Sequence, residues 1–137
     1  MRKYEWFLSA VVLAVLPGVH DGSTAEAREA KMVVEYIRYE VPTSRAEAFI
    51  AAYASAAKEL EASPHCLGYE ISRGIEEPAK FTVRIEWDSV QGHEQGFRKS
   101  PGFRTFFADV KPFFGEIREM KHYEVISNRS KAKAGGG

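Results

Sequence analysis

The sequence predicts an α+β domain with the element order β-α-β-β-α-β, in which the second helical segment is divided into two pieces. Three observations support this prediction. Apolar and polar residues alternate from Phe81 to Trp87, as in a half-buried strand. Ser100 and Pro101 form a helix start ahead of regularly spaced phenylalanines. The length of 137 residues is sufficient for one domain with a hydrophobic core but is too short for two such domains.

The first half of the chain is typical of a strand, a helix and a second strand. Residues 32–41 are rich in β-branched and aromatic side chains and contain no Gly or Pro, which indicates a strand. Ser44 and Glu47 match a capping box at a helix start. Apolar residues then recur at helical spacing: Phe49, Ala52, Tyr53, Ala56 and Leu60. Pro64 ends this helix, and alternation over residues 67–75 predicts the second strand.

The second half is typical of a strand, a short helix, a longer helix and a final strand. The third strand covers residues 80–87, and Asp88 with Gln91 marks the start of the short helix. The longer helix begins at Ser100 and has five apolar positions on one side: Phe103, Phe106, Phe107, Val110 and Phe113. Gly115 is expected to end it, ahead of a strand over 116–126. This order is the ferredoxin-like, split βαβ arrangement.

One face of the predicted four-stranded sheet would be left uncovered by the helices. The first and last strands offer a mixture of side chains there: Val34, Tyr36, Arg38, Glu40, Met120 and His122. A mixed face of this kind is usually covered by a partner, so we expect a homodimer that packs sheet to sheet about a two-fold axis. The expected contact contains Val34, Tyr36, Met120 and His122.

The composition excludes several classes of function. The 19 basic residues balance the 19 acidic ones, and no basic stripe is interleaved with aromatics, so a nucleic-acid partner is not expected. The four histidines have no zinc-type spacing, so no metal site is expected either. Cys66 is the sole cysteine, either a small buried side chain or a reactive thiol. The 17 aromatic residues, nine Phe, six Tyr and two Trp, suit the binding of a flat apolar ligand.

Residues 1–27 are expected to be a signal peptide or a non-native extension. Two basic residues precede a short apolar run, and Ala25-Glu26-Ala27 matches a signal-peptidase site. We therefore expect an exported protein, periplasmic or secreted, whose mature form begins at Arg28. The alternative is a cytoplasmic protein whose true start is Met32. The apolar run is too short for a stable membrane span.

The domain itself is expected to cover residues 28–127. Residues 128–137 combine basic side chains with three final glycines and are expected to form a disordered tail.

Between about residues 32 and 125 the chain resembles the antibiotic biosynthesis monooxygenase family. The resemblance rests on the strand order, on the strand end Glu86-Trp87-Asp88-Ser89, and on the Ser100-Pro101 step into a helix over residues 103–114. It implies a dimeric α+β barrel. It also implies one of several activities, because the family includes cofactor-independent oxygenases of quinols and polyketide-type phenols, heme-degrading enzymes and many members without an assigned activity.

The resemblance does not extend to the heme-degrading branch. Trp87 matches the tryptophan of that branch, but its asparagine position falls near Ile37 and its axial histidine position near Phe107. Heme iron needs an axial ligand, so heme is not expected. There is no GxGxxG turn for a flavin or nicotinamide cofactor. We therefore expect no cofactor.

The expected catalytic residues are His93 and Trp87. A neutral imidazole at His93 could take a phenolic proton if it faces a cavity, although its polar neighbours also fit an exposed position. Trp87 could steer a substrate oxygen with its N–H or could simply be a core residue. The expected substrate-binding residues are Tyr69, Arg73, Phe97, Phe103 and Phe107. Core packing remains open for Tyr69, and a solvated strand end remains open for Arg73.

Two functions fit these expectations. The first is a cofactor-independent monooxygenase that acts on a small aromatic substrate, a quinol or polyketide-like phenol, held under the phenylalanine-rich helix. The second is a non-enzymatic ligand-binding or stress-related module, because one fold can serve several functions.

Overall fold

A computed structural model describes residues 32–129 of the chain. Its strands and helices are β1 (Val33–Glu40), α1 (Ala46–Ala62), β2 (Cys66–Arg73), β3 (Lys80–Trp87), α2 (Pro101–Val110) and β4 (Ile117–Glu124). A π-helical turn (Gly92–Gly96) and a 3₁₀ turn (Phe97–Lys99) lie between β3 and α2, and a longer 3₁₀ turn (Lys111–Glu116) joins α2 to β4. The predicted order, with its divided second helical segment, is confirmed. The expected signal peptide lies outside the described residues, as does most of the expected tail.

The four strands form one antiparallel sheet in the order β2-β3-β1-β4. The face that packs against α1 and α2 is called the inner face below. The alternation predicted for β3 is confirmed, because Phe81, Val83, Ile85 and Trp87 are all at most 2% exposed. They meet Phe49 and Leu60 of α1 in the core. No helix within residues 32–129 is long and apolar enough to cross a membrane.

The helix starts were predicted with mixed success. Ser100 caps α2 as expected, since its Oγ accepts a hydrogen bond from the Phe103 N–H at 3.2 Å. The predicted capping box at Ser44 is wrong, because a 3₁₀ turn precedes α1 and no side chain caps the helix. Asp88 does not cap the short helix either. Its carboxylate bonds His65, and Ser89 Oγ accepts from the Gly92 N–H instead.

The end of α2 also differs from the prediction. The α-helix ends at Val110, and the chain continues through the 3₁₀ turn that contains Gly115. Gly115 is therefore part of this turn and does not act as the helix stop. The extra helical residues bring Phe113 into the core.

The predicted dimer contact is wrong at two positions. The β1–β4 register pairs Ile37 with Met120 and Glu35 with His122. Cross-strand partners point to the same side of a sheet, so Met120 and His122 lie on the inner face. The outer face carries Val34 and Tyr36, as expected, but not these two residues. The homodimer stays a prediction.

Candidate functional site

A cavity of about 640 Å³ lies between the inner face of the sheet and α2 with its preceding turn. Apolar and aromatic side chains form most of its wall: Ile37, Ile85, Trp87, Phe97, Phe103, Phe106, Phe107, Val110, Phe114, Ile117 and Met120. Five of the seven site residues expected from the sequence are thus brought together here, namely Trp87, His93, Phe97, Phe103 and Phe107. The size and lining match small-molecule sites, which measure roughly 300–1,000 Å³ and are mostly apolar.

One end of the cavity is polar and is formed by a chain of buried hydrogen-bonding groups. Trp87 Nε1 donates to Glu35 Oε2 at 3.0 Å. His93 Nε2 lies 3.5 Å from the same oxygen, and His93 Nδ1 shares a hydrogen bond with His122 Nε2 at 2.7 Å. Glu35 and His93 line the cavity and are both 3% exposed, whereas His122 is half-buried behind His93. These three residues, Glu35, His93 and His122, are called the polar cluster below.

Burial controls the charge of the polar cluster. It raises the pKa of Glu35 to about 7, and the hydrogen bond from Trp87 offsets only part of this rise. Burial also lowers the pKa of His93 to about 3, with a further contribution from the positive charge of Arg98. The contact between Glu35 and His93 is therefore not an ion pair at neutral pH, because the imidazole is uncharged.

His93 reaches the cavity because of the π-helical turn. A turn of this type carries one extra residue and is frequent at functional sites. Its two glycines are required by close packing: a Cβ at Gly92 would overlap the Asp88 carboxylate, and one at Gly96 would overlap the His65 ring. A hydrogen bond of 2.8 Å between the His65 ring and the Asp88 carboxylate holds together the two side chains against which this turn packs.

The Trp87 ring fixes the orientation of His93. The two rings stack with centroids 4.3 Å apart and an angle of 11° between their planes. The Phe97 ring also packs against Trp87, with the two ring centroids 5.2 Å apart. Trp87 is fully buried, and its N–H is already bonded to Glu35. Trp87 is therefore a core residue and also forms part of the cavity wall, so both interpretations from the sequence apply to it.

Glu35 was not expected at the site from the sequence, and His122 was expected on the opposite face of the sheet. Glu35 alternates with Ile37 and Tyr39 on β1, so a carboxyl at an otherwise apolar inward position was the available signal. His122 reaches the polar cluster because β4 places it directly opposite Glu35. One ligand atom from each residue of the cluster lies within 4.8 Å of the others. A search for histidine spacing along the chain cannot detect this group, because its members lie on β1, the π-helical turn and β4.

Two tyrosines complete the wall next to α1. The hydroxyl groups of Tyr39 and Tyr53 share a hydrogen bond of 2.6 Å, and both side chains line the cavity. Burial raises the pKa of Tyr39 to about 12, and it raises the pKa of Tyr53 well above its usual value. Because their hydroxyl groups form a hydrogen bond with each other, these two tyrosines add little polarity to the cavity.

Tyr69 and Arg73 do not reach the cavity, which corrects their expected role in substrate binding. Both lie on β2, in a groove along the other side of α1. Tyr69 is 37% exposed and donates a hydrogen bond to Glu61, while Arg73 donates to the Pro78 carbonyl oxygen. β2 is the edge strand farthest from β4, so its side chains are separated from the polar cluster. Arg98 is the arginine that lines the cavity.

Cys66 is half-buried at the start of β2. Burial raises the pKa of its thiol, which favours the unreactive form.

Comparison with known proteins identifies the family. The model of the family described as antibiotic biosynthesis monooxygenase matches residues 32–109, more than half of the chain. The chain belongs to the antibiotic biosynthesis monooxygenase family. The matched region contains every strand and helix from β1 to nearly the end of α2, and with them Glu35, Trp87 and His93.

Solved structures share the fold of this family member. A candidate antibiotic biosynthesis monooxygenase from Bordetella bronchiseptica is 27% identical, with a TM-score of 0.63 over 71% of this chain and 99% of the other. A conserved protein from Methanosarcina mazei Go1 is 18% identical, with a TM-score of 0.60 over 70% of this chain and 95% of the other. The uncharacterised protein YczJ of Bacillus subtilis is 23% identical over 69% of this chain and all of its own length. The α+β ferredoxin-like fold is thereby confirmed. The family name indicates a monooxygenase, and these three names give no substrate.

Proposed function

We propose that this protein is a monooxygenase that acts on a small hydroxylated aromatic substrate, a quinol or polyketide-like phenol, bound in the cavity. The observation that carries the proposal is the combination of an aromatic-lined cavity of about 640 Å³ with a polar cluster confined to one end. Family membership supports the reaction class, and the shape of the site supports the substrate class.

The aromatic wall suits a flat substrate. Phe103 and Phe107 stack with centroids 5.8 Å apart along α2, and Phe97 lies edge-on to Phe103 at 5.6 Å. Aromatic groups prefer such offset and edge-on contacts, so a planar ring system can join this arrangement without loss of ring–ring contact. The apolar wall contacts the rings of the substrate, and the polar end determines the orientation in which the substrate binds.

The polar end suits a substrate whose oxygen gains negative charge during the reaction. Glu35 and His93 present hydrogen-bonding atoms to the cavity, and Arg98 brings a positive charge beside them. A positive charge in a site sheltered from water stabilises developing negative charge on a substrate oxygen. Arg98 lines the cavity and Arg73 does not, so Arg98 is the arginine proposed to stabilise this charge. Trp87 acts indirectly, because its N–H is bonded to Glu35 and so positions that carboxyl group.

The overall reaction balances when the substrate supplies the electrons. In an anthrone-type phenol, the CH₂ carbon between two aromatic rings reacts with O₂ to give a carbonyl carbon and one water. In a naphthol or quinol, a ring C–H carbon is oxidised instead, and the ring becomes a quinone. In each case one oxygen atom enters the substrate, the other leaves as water, and the substrate loses four electrons. An electron-rich phenolic ring makes this carbon oxidisable.

A ligand-binding module without turnover is the second candidate. The same cavity supports it, because an apolar pocket binds an aromatic molecule whether or not a reaction follows. Oxygen consumption separates the two candidates.

The test measures oxygen uptake with a panel of naphthols, anthrones and quinols, with ¹⁸O₂ to follow incorporation. We expect one labelled atom in the product and a fall in kcat of at least about tenfold in Glu35→Gln and Arg98→Met, because each change removes one ionisable group from the polar end. Tyr69→Phe and Arg73→Gln are matched controls outside the cavity and should retain wild-type rates. Saturable binding without oxygen uptake would support the second candidate and contradict the proposal.

A further inference from the structure

The polar cluster combines donor types that transition metals prefer. It offers two imidazoles and one carboxylate, and one ligand atom from each residue lies within 4.8 Å of the other two. Among residues 32–129 this is the group of His, Cys, Asp and Glu side chains that meets this condition. Two histidines with one carboxylate are the donor set of non-heme iron oxygenases, and imidazole also suits zinc, copper and nickel.

We propose that Glu35, His93 and His122 form a binding site for one divalent first-row transition-metal ion. The inference goes beyond the proposed monooxygenase function and does not depend on it. The ligands come from three separate elements, namely β1, the π-helical turn and β4. Each backbone segment is held by the sheet or by the packing of the two glycines, so the three side chains are held close together. His93 directs Nε2 toward Glu35 and Nδ1 toward His122, so one of these two contacts must be exchanged for a bond to the ion when the metal binds.

The surroundings of the cluster resemble the support that metal ligands usually have. Such ligands are oriented by outer hydrogen bonds and by packing. Trp87 Nε1 donates to Glu35 Oε2 at 3.0 Å, which fixes one carboxylate oxygen. The same Trp87 ring stacks on His93 at 4.3 Å, which fixes the plane of the imidazole. Burial of a carboxyl and an imidazole is unfavourable because both lose hydration, and buried groups of this kind cluster at functional sites.

A metal would replace the direct contact between the two histidines. His93 Nδ1 and His122 Nε2 are 2.7 Å apart, the distance of a hydrogen bond. Nitrogen ligands at about 2.0–2.1 Å from a shared metal ion lie roughly 3 Å apart, so the two rings need only a small separation. Glu35 contacts the other ring nitrogen, His93 Nε2, so its carboxylate has to turn toward the ion to become the third ligand.

The position of the cluster would leave the metal accessible to small molecules. Glu35 and His93 line the cavity, and three protein ligands leave further coordination positions open. A substrate oxygen or dioxygen in the cavity would lie next to these positions.

The test is metal binding by the full chain, prepared without a histidine tag and stripped with a chelator. Zn²⁺ is titrated by calorimetry, and Co²⁺ is titrated without oxygen to record its visible absorption. We expect one equivalent of each ion to bind. Glu35→Gln and His122→Gln should each weaken binding by more than about 100-fold, beyond the roughly 10- to 100-fold effect of losing a supporting residue.

Glu70→Gln is the matched control for Glu35→Gln, because Glu70 is exposed on β2, the strand farthest from β4. Its Zn²⁺ affinity should equal that of the wild type. A readout that needs no variant is the histidine NMR spectrum, in which one equivalent of Zn²⁺ should shift the ring signals of His93 and His122 but not those of His65. Absence of saturable binding would overturn the proposal, as would binding that His122→Gln leaves unchanged. The metal titration is carried out without an aromatic substrate. Its result therefore stands even if the oxygen-uptake test of the proposed function fails.

Discussion

Trp87 shows how a single side chain serves both the core and the site. It is fully buried at the end of β3, its ring stacks on His93, and its N–H is donated to Glu35. Burial alone would be satisfied by any large apolar residue. The hydrogen bond is specific, because it compensates a carboxyl group that is almost completely removed from water.

The coupling between Trp87 and Glu35 can be measured by a double-mutant cycle. Trp87→Phe leaves the Glu35 carboxyl without its donor and should lower the free energy of unfolding by about 1–3 kcal/mol. Glu35→Met in addition removes the unsatisfied partner, so the double variant should be more stable than the sum of the single effects predicts. Urea unfolding measures all four proteins. Single effects that add to within about 0.5 kcal/mol would contradict the coupling.

The Tyr39–Tyr53 pair predicts a loss of stability at alkaline pH. The pKa of Tyr39 is about 12 in the folded protein and near 10 in an unfolded chain. The unfolded state therefore releases its proton first, so the free energy of unfolding is unaffected below about pH 10 and falls between about pH 10 and 12. Tyrosinate absorbance and urea unfolding over this range provide the measurement. The Tyr39→Phe/Tyr53→Phe variant should lose most of this pH dependence, and an equal slope in both proteins would show that other groups cause it.

At the scale of elements, the π-helical turn determines where His93 points. The turn packs against His65, and glycine is required where a Cβ would overlap that ring. From the sequence, the polar neighbours of His93 also fit an exposed position. The structure shows instead that the glycines allow close packing and that His93 is 3% exposed.

Substitution of Gly96 tests the role of this turn. Gly96→Ala should lower the free energy of unfolding by about 1–3 kcal/mol, because the new methyl group displaces the His65 ring or the turn. It should also change Trp87 fluorescence through the stacked His93. Gly115→Ala is the control, since a Cβ there meets nothing within 4 Å, and it should be neutral or slightly stabilising. Equal melting temperatures for the two variants would contradict the packing argument.

The elements were predictable where one physical rule decides the outcome. Alternation gave β3, and the Ser100 cap with Pro101 gave the start of α2, because both signals are local. The polar cluster was not predictable in the same way, because it depends on the β1–β4 register. Without that register, His122 was assigned to the outer face, and the inward position of Glu35 on β1 was overlooked. Tyr69 and Arg73 lie on the inner face of the sheet, but their strand β2 is too far from the cavity for them to line it. Alternation along a strand predicts the face of a residue and not its distance from the site.

In the molecule as a whole, none of the helices within residues 32–129 covers the outer face of the sheet, although Val34 on this face is already only 1% exposed within one chain. Tyr36 and Tyr123 meet edge to face there at 5.3 Å, and Tyr123 is 41% exposed. Arg84 and Glu86 form an ion pair of 2.5 Å within the same chain. An antiparallel sheet with helices on one side leaves such a face for a second layer, and a two-fold pair of sheets supplies it.

The homodimer is predicted from this face and can be tested by light scattering. At micromolar concentration the mass should be twice that of one chain. Tyr36→Glu/Tyr123→Lys should shift the equilibrium toward monomer, because charges replace aromatic surface in the contact. Tyr69→Glu, on the opposite face and far from the expected contact, is the control. A monomeric wild type would contradict the prediction.

The proposed function requires that an aromatic substrate bind in the cavity beside Trp87. The direct measurement is tryptophan fluorescence in a Trp6→Phe background, in which Trp87 is the sole tryptophan, during titration with a naphthol. We expect a saturable change in emission, with an affinity that Phe103→Ala and Phe107→Ala weaken and Tyr69→Phe leaves unchanged. Trp87 emission that stays constant while the naphthol binds, or binding that Tyr69→Phe weakens and the two phenylalanine variants do not, would contradict it.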